Sequence, residues 1–349
     1  MNRAKDNSQR AMIQLSKSLV GVSLLFVICA TFCMIFLLKE NNAIDTETDE
    51  SVNVEHRTGK KPEKGEAAKA GWVAPDSLTL PAGTPGAEIK YGRELIVHTA
   101  AYFGPKGKIR RLTNGMNCQN CHSEAGTKIW ALNYSAVAST YPQFKARSNK
   151  VVSIASRING CFERSLNGKK LDTASREMEA MIAYMKWLGK DVKKGHKPEK
   201  NAVEKLPYLD RAASPVKGRL VYQNLCKSCH GENGAGQLNE KGTEYTFPPL
   251  WGADSYNDGA GLYRLSNFAG FVKNNMPLGT SYEHPALSNE EAWDVAAFVN
   301  SQPRPHKDQS ADWKDLAKKP IDFPFGPYKD RFSETQHKYG PFKPIANAQ

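Results

Sequence analysis

Several familiar signatures are missing from this 349-residue chain. Cysteine is sparse: seven residues, too few and too scattered for the disulfide scaffold of a small secreted domain. No strand-rich stretch is apparent, which leaves helix as the main building material. No zinc-finger, homeodomain or RNA-recognition pattern accompanies the net charge of +12, and the basic residues are spread along the chain. Nucleic acid is therefore not the expected partner, and the charge better suits small anions or an acidic redox partner. Hydrophobic content of 40% and charged content of 24% are ordinary, and the length allows two modest domains.

One long apolar run is present. Leu19 to Leu38 carries no charge over twenty residues. At helical rise it spans about 30 Å, the thickness of a bilayer hydrocarbon core. Arg3, Lys5, Arg10 and Lys17 precede it, Asp45, Glu47, Asp49 and Glu50 follow it, and no good cleavage site is visible. The expectation is an uncleaved inner-membrane anchor with the N-terminus cytoplasmic and the remainder periplasmic; a cleaved signal is the alternative. Cys29 and Cys33 are read as passive residues of that span.

The exported part divides into two similar blocks. Residues 41–75 are polar and read as a flexible linker after the 1–40 anchor segment. In block 76–195, an amphipathic helix through Ile89, Leu95, Ile96, Ala100 and Phe103 leads to CQNCH at 118–122. The block closes with a helix bearing Met178, Met181, Ile182, Met185 and Leu188 on one face. Asp172 or Thr173 is expected to cap that helix and Gly189 to end it. After linker 196–212, block 213–303 repeats the plan. A helix at Val216–Leu225 runs into CKSCH at 226–230, and a closing helix starts at Ser288 with Glu291 at capping-box spacing. The 304–349 tail holds six prolines and many aromatics, so it should be irregular and packed over the surface. The expected fold is mainly α: two cytochrome c-like domains preceded by a single N-terminal transmembrane helix.

C-x-x-C-H is the attachment sequence of c-type haem. The spacing puts two thiols and an imidazole on one turn at the haem edge. A thioredoxin-like pair would want a βαβ setting, and a zinc site a second pair close by; here the pairs lie 108 residues apart. Two covalently attached haem c groups are therefore expected, on Cys118/Cys121 and Cys226/Cys229, with His122 and His230 on the irons. For the second haem, Met276 in NNMPLG stands where a cytochrome c axial Met is usual, with Lys273 a competing ligand. Met178, Met181 and Met185 read as core. The first block has no Met-Pro loop. It has Cys161, one helical turn after Arg157 and followed by Glu163, Arg164 and Ser165, a setting that favours a thiolate.

With CQNCH, SRINGCFERSLNG at 156–168, FPPLWG at 247–252, NNMPLG at 274–279 and PFGPYKDRFSETQHKYGPF at 324–342, the chain resembles the thiosulfate dehydrogenase family of dihaem c-type cytochromes over roughly residues 75–347. That resemblance implies an oxidoreductase coupling two thiosulfates to tetrathionate, with the reverse reduction also open. It implies Cys161 opposite His122 at the catalytic haem, Arg147, Arg157 and Ser165 around the substrate, and His230 with Met276 at an electron-transfer haem. A soluble or membrane redox partner would complete the circuit. The alternatives are a dihaem electron carrier and a haem-thiolate sulfur transferase of the sulfur-oxidation system.

Overall fold

The computed structural model describes residues 71–348. Among them no helix is long and apolar enough to cross a membrane; Leu19–Leu38 and most of the 41–75 linker lie outside the described residues.

Helix α1 (Thr84–Val97) has Pro85 in its first turn, where a missing N–H costs nothing, and buries Ile89, Leu95 and Ile96. The chain kinks at His98 and continues as a short helix, Thr99–Phe103. A hairpin of β1 (Gln143–Lys145) and β2 (Lys150–Val152) follows, antiparallel, with Phe144 opposite Val151. It delivers the chain to α2 (Ile154–Arg164), capped by Ser153. Helix α3 (Arg176–Leu188) closes the half and stops at Gly189, as expected. Its cap, however, is Ser175 and not Asp172 or Thr173. Helical geometry begins at Arg176, so only the preceding side chain can reach the free Met178 N–H, at 3.3 Å. Asp172 instead receives the Ala174 N–H at 3.0 Å and builds the turn leading in. Met178, Met181 and Met185 are buried in the core, as their spacing indicated.

The second half repeats the plan. Helix α4 (Pro215–Leu225) runs into a helical turn at Lys227–His230. A two-strand ladder of β3 (Gln237–Leu238) and β4 (Tyr245–Phe247) comes next, then α5 (Leu265–Asn275), which ends directly at Met276. Helix α6 (Asn289–Ser301) carries the capping box foreseen for Ser288 and Glu291, both backbone N–H groups being satisfied reciprocally.

A feature not read from the sequence organises both halves. The helix before each C-x-x-C-H motif crosses the closing helix at a glycine. A Cβ on Gly92 of α1 would lie 2.0 Å from the Ala180 carbonyl oxygen of α3; one on Gly218 of α4 would lie 1.8 Å from that of Asp294 in α6. Only glycine permits backbones this close.

Linker and tail are more deeply built in than expected. Val203 and Leu206 join the second core, and the Trp293 indole N–H donates to the Pro207 carbonyl at 3.0 Å. The tail was expected over the surface, yet Phe342 and Ile345 are core residues of the second half. Two short helices, Glu334–Tyr339 and Lys343–Asn347, bring them in, and the Ala213 N–H donates to the Tyr339 carbonyl at 2.8 Å. Burial of two large apolar side chains outweighs the irregular, proline-rich backbone around them.

Candidate active site

The first C-x-x-C-H turn is anchored from behind. Thr99, just past the α1 kink, receives the Cys118 N–H at 3.0 Å, and the Asn117 side chain receives the Ala100 N–H at 2.8 Å. Beyond His122 the backbone turns left-handed at Glu124, Ala125 and Gly126. Leu132, also at positive φ, directs its carbonyl to His122 Nδ1 at 2.5 Å. A residue held in that region is strained, and here the strain aims one carbonyl. With Nδ1 donating to it, Nε2 carries the free lone pair. His230 is held the same way, by the Pro248 carbonyl at 2.8 Å from Nδ1. Pro248 belongs to the FPPLWG segment, which gives that motif a structural purpose.

Cys118, Cys121 and His122 line a cavity of about 370 Å³ whose wall also contains Arg157, Ile158, Cys161 and Ser165. Arg157 and Cys161 are four residues apart on α2 and so share a face. Arg157 Nη1 donates to Cys161 Sγ at 3.3 Å. Burial pushes the Cys118 and Cys121 thiols up to about 12. It acts on Cys161 too, but Arg157, then His122 and Arg147, more than offset it and hold that thiol at about 6. Before haem is attached, therefore, the field in this cavity favours the thiolate only at Cys161. Arg147 joins Arg157 above the gap left by Gly160, where a Cβ would sit 4.0 and 3.9 Å from their guanidinium nitrogens. Neither arginine pairs with a carboxylate among the described residues.

Arg164, on the same helix, has a different duty. It forms an ion pair with Asp312 of the tail at 2.9 Å and donates to the Gly259 carbonyl at 3.2 Å. The Trp313 N–H donates to the Arg147 carbonyl at 2.8 Å. The tail thus clasps the segment that carries the arginines. From the second half, Asn257 donates to the Glu163 carbonyl and to Asn167 at 2.9 and 3.0 Å, bracing the end of α2.

The second cavity, about 460 Å³, is lined by Cys226, Cys229, His230 and Met276 among mostly apolar neighbours. Lys273 points elsewhere: its ammonium donates to the Leu287 carbonyl. The two cavities share Met116, Asn117 and Cys121 as lining, so only one layer of side chains separates them. Glu244, just before β4, bridges this seam by accepting from Asn117 at 3.1 Å and pairing with His98 at 3.0 Å.

Residues 108–193 match the family model described as SoxA/TsdA, cytochrome c domain, and residues 215–303 match the cytochrome c model. The chain is 40% identical over 237 residues to a thiosulfate dehydrogenase of Allochromatium vinosum, covering 67% of this chain and 84% of that protein. It is 38% identical over 242 residues to one of Psychrobacter arcticus, covering 68% and 70%. The chain belongs to the thiosulfate dehydrogenase family. A solved thiosulfate dehydrogenase (TsdBA) of Marichromatium purpuratum superposes with a TM-score of 0.62 at 31% identity, over 67% of this chain and half of that longer one.

As a member of this family the protein is an oxidoreductase with two cytochrome c domains and two covalently attached haem c groups. The residues present fit those groups. Protein interiors pack densely, and two large, chiefly apolar voids call for occupants. Each has two free thiols and an oriented imidazole on its wall. A zinc site is not in competition, because no cluster of three His, Cys, Asp or Glu residues exists among the described residues. Sequence reasoning missed Lys145 and Lys197, which line the first cavity together with Cys161. Their only signal was basic charge, which on a chain this basic does not stand out.

Proposed function

We propose that the protein joins two thiosulfates into tetrathionate at the first haem, whose iron His122 and Cys161 would hold, while His230 and Met276 would hold the second. The observation that carries this reading is a third cysteine, Cys161, in the cavity of His122, with an Arg157 guanidinium 3.3 Å from its sulfur that favours the thiolate. A plain electron carrier has no use for such a cysteine.

In this reading Arg147 and Arg157 hold the sulfonate group of thiosulfate, since a planar guanidinium matches oxyanion geometry. Ser165, whose hydroxyl makes no hydrogen bond among the described residues, donates to a sulfonate oxygen. The attached haems would supply one-electron redox chemistry, one electron each, for the two electrons released on the way to an external acceptor. Cys161 forms a sulfur–sulfur bond with the sulfane sulfur of the first thiosulfate as those two electrons leave. The sulfane sulfur of the second thiosulfate then attacks that bond, releasing tetrathionate and restoring the thiolate. Supplied with electrons and tetrathionate, the same groups would run the reduction. Residues 19–38 would hold the enzyme at the periplasmic face of the inner membrane, within reach of a cytochrome or similar acceptor.

The test is tetrathionate formed per electron accepted by the oxidised, haem-loaded protein given thiosulfate and an artificial acceptor. One tetrathionate per two electrons is expected; no tetrathionate in either direction would shift the assignment to a carrier or a sulfur transferase. Two substitutions sharpen it. Arg157→Leu should lower kcat/KM by roughly 10- to 100-fold in steady-state assays, the worth of a charge-assisted hydrogen bond. Met276→Gly should leave the second haem attached yet lower its midpoint potential by on the order of 0.1 V in a spectroelectrochemical titration, because thioether ligation raises the potential.

A further inference from the structure

Joining two thiosulfates poses an electrostatic problem that one pair of arginines does not solve. Each substrate is a dianion, so the second thiosulfate must approach a cysteine that already carries the sulfonate of the first. Like charges this close repel strongly unless cations lie between or beside them. The first cavity contains two further cations, and neither has a partner carboxylate among the described residues. Lys145 ends β1, on the same face as Gln143, and both line the cavity with Tyr141. Its ammonium sits 5.2 Å over the Tyr141 ring. Lys197 lines the same cavity from the chain beyond α3 and is exposed, which places it at the mouth. Burial, followed by Arg157, Lys197 and Arg147, draws the Lys145 ammonium down to about 8. Lys145, Arg157 and Lys197 thus line one cavity, with Arg147 beside Arg157, a positive field that favours anions.

We propose that Lys145 and Lys197 form a second sulfonate subsite beside Arg157, which holds the second thiosulfate and the far end of tetrathionate. This rests on the thiosulfate-oxidising reading above and extends it to where the second substrate binds. Over the whole reaction two thiosulfates bring four negative charges. One bond forms between the two sulfane sulfurs, two electrons depart to the haems, and a dianion remains. The two subsites also set the length of anion the cavity accepts, because a ligand with one sulfonate can satisfy only one of them.

The experiment uses the full-length, haem-loaded protein without electron donor or acceptor, and measures binding of two probes by calorimetry. Tetrathionate has charged groups at both ends; sulfate has one. In Lys145→Gln/Lys197→Gln, tetrathionate should bind roughly 10- to 100-fold more weakly while sulfate binding changes less than about threefold. Lys145→Arg/Lys197→Arg, which keeps both charges, should retain most of the parent affinity for tetrathionate. Lys150→Gln, which removes a nearby exposed charge outside the cavity, should leave both ligands essentially unaffected. In turnover, the double variant should raise the thiosulfate KM by a similar factor with kcat within about twofold. Equal weakening of both probes, or equal weakening by Lys150→Gln, would reduce the lysines to a general field and overturn the subsite. Normal tetrathionate formation with unchanged KM in the double variant would overturn the subsite alone; no tetrathionate from the unmodified protein would overturn the function itself.

Discussion

Replacing Cys161 by glycine should lower tetrathionate formation by about a thousandfold or more while leaving two haems per chain. The two halves of that expectation have separate causes. Attachment depends on Cys118, Cys121, Cys226 and Cys229, which sit on turns secured by Thr99, Asn117 and the helices behind them and do not involve Cys161. In the proposed chemistry turnover depends on a thiolate at the substrate, and no other cysteine lining that cavity can take its place. The sulfurs of Cys118 and Cys121 are committed to haem attachment. The variant also leaves Arg157 without the sulfur it donates to at 3.3 Å, so thiosulfate could still bind even though it no longer reacts. The checks are intact mass for haem content and tetrathionate yield for activity. Retention of more than a few per cent of the rate would remove Cys161 from the chemistry.

The second large effect is on stability. Gly218→Val should destabilise the second domain by about 3 kcal/mol or more and lower its thermal midpoint by about 10 °C or more. The obstacle is backbone rather than a side chain that could turn away: the new Cβ would lie 1.8 Å from the Asp294 carbonyl oxygen. Nor can Asp294 yield easily. Its carboxylate pairs with Arg211 at 2.8 Å and receives the Ser214 N–H at 2.7 Å, locking α6 to the start of α4. The helices must separate, and contacts along the crossing around Tyr222, Val295 and Trp293 loosen with them. Thermal unfolding followed by circular dichroism is the measurement. A midpoint within a degree or two of the parent would mean that the close crossing is not needed.

Much of the site was legible because its chemistry is local. Two thiols and an imidazole on one turn are a five-residue pattern, and nothing distant is needed to read them. Arg157 and Cys161 are one helical turn apart, so their meeting follows from the helix alone. The helix cap at Ser288 and the core role of Met178, Met181 and Met185 were readable for the same reason: a fixed period decides which side chains meet. The start of α3 was misread because Asp172, Thr173 and Ser175 are all plausible caps, and only the position of the first helical residue chooses among them.

What the sequence by itself determined is the set of reactive groups: two haem-attachment turns, their histidines, Met276, and a cysteine in an arginine-bearing helix. Which of those groups face one another, and which cations attend them, was settled by contacts between segments far apart in the chain. Leu132 and Pro248 orient the two histidines through backbone carbonyls, which have no residue-specific signature. Arg164 looked equivalent to Arg157 until Asp312, 148 residues on, claimed it for the tail. Lys145 and Lys197 reach the Cys161 cavity from either side of α2 and α3, and their neighbourhood exists only once those elements pack. Bond-forming capacity is a property of residue type and short spacing, whereas a thiolate, an anion site and a route between two haems are properties of the field and the enclosure, which only the folded chain supplies.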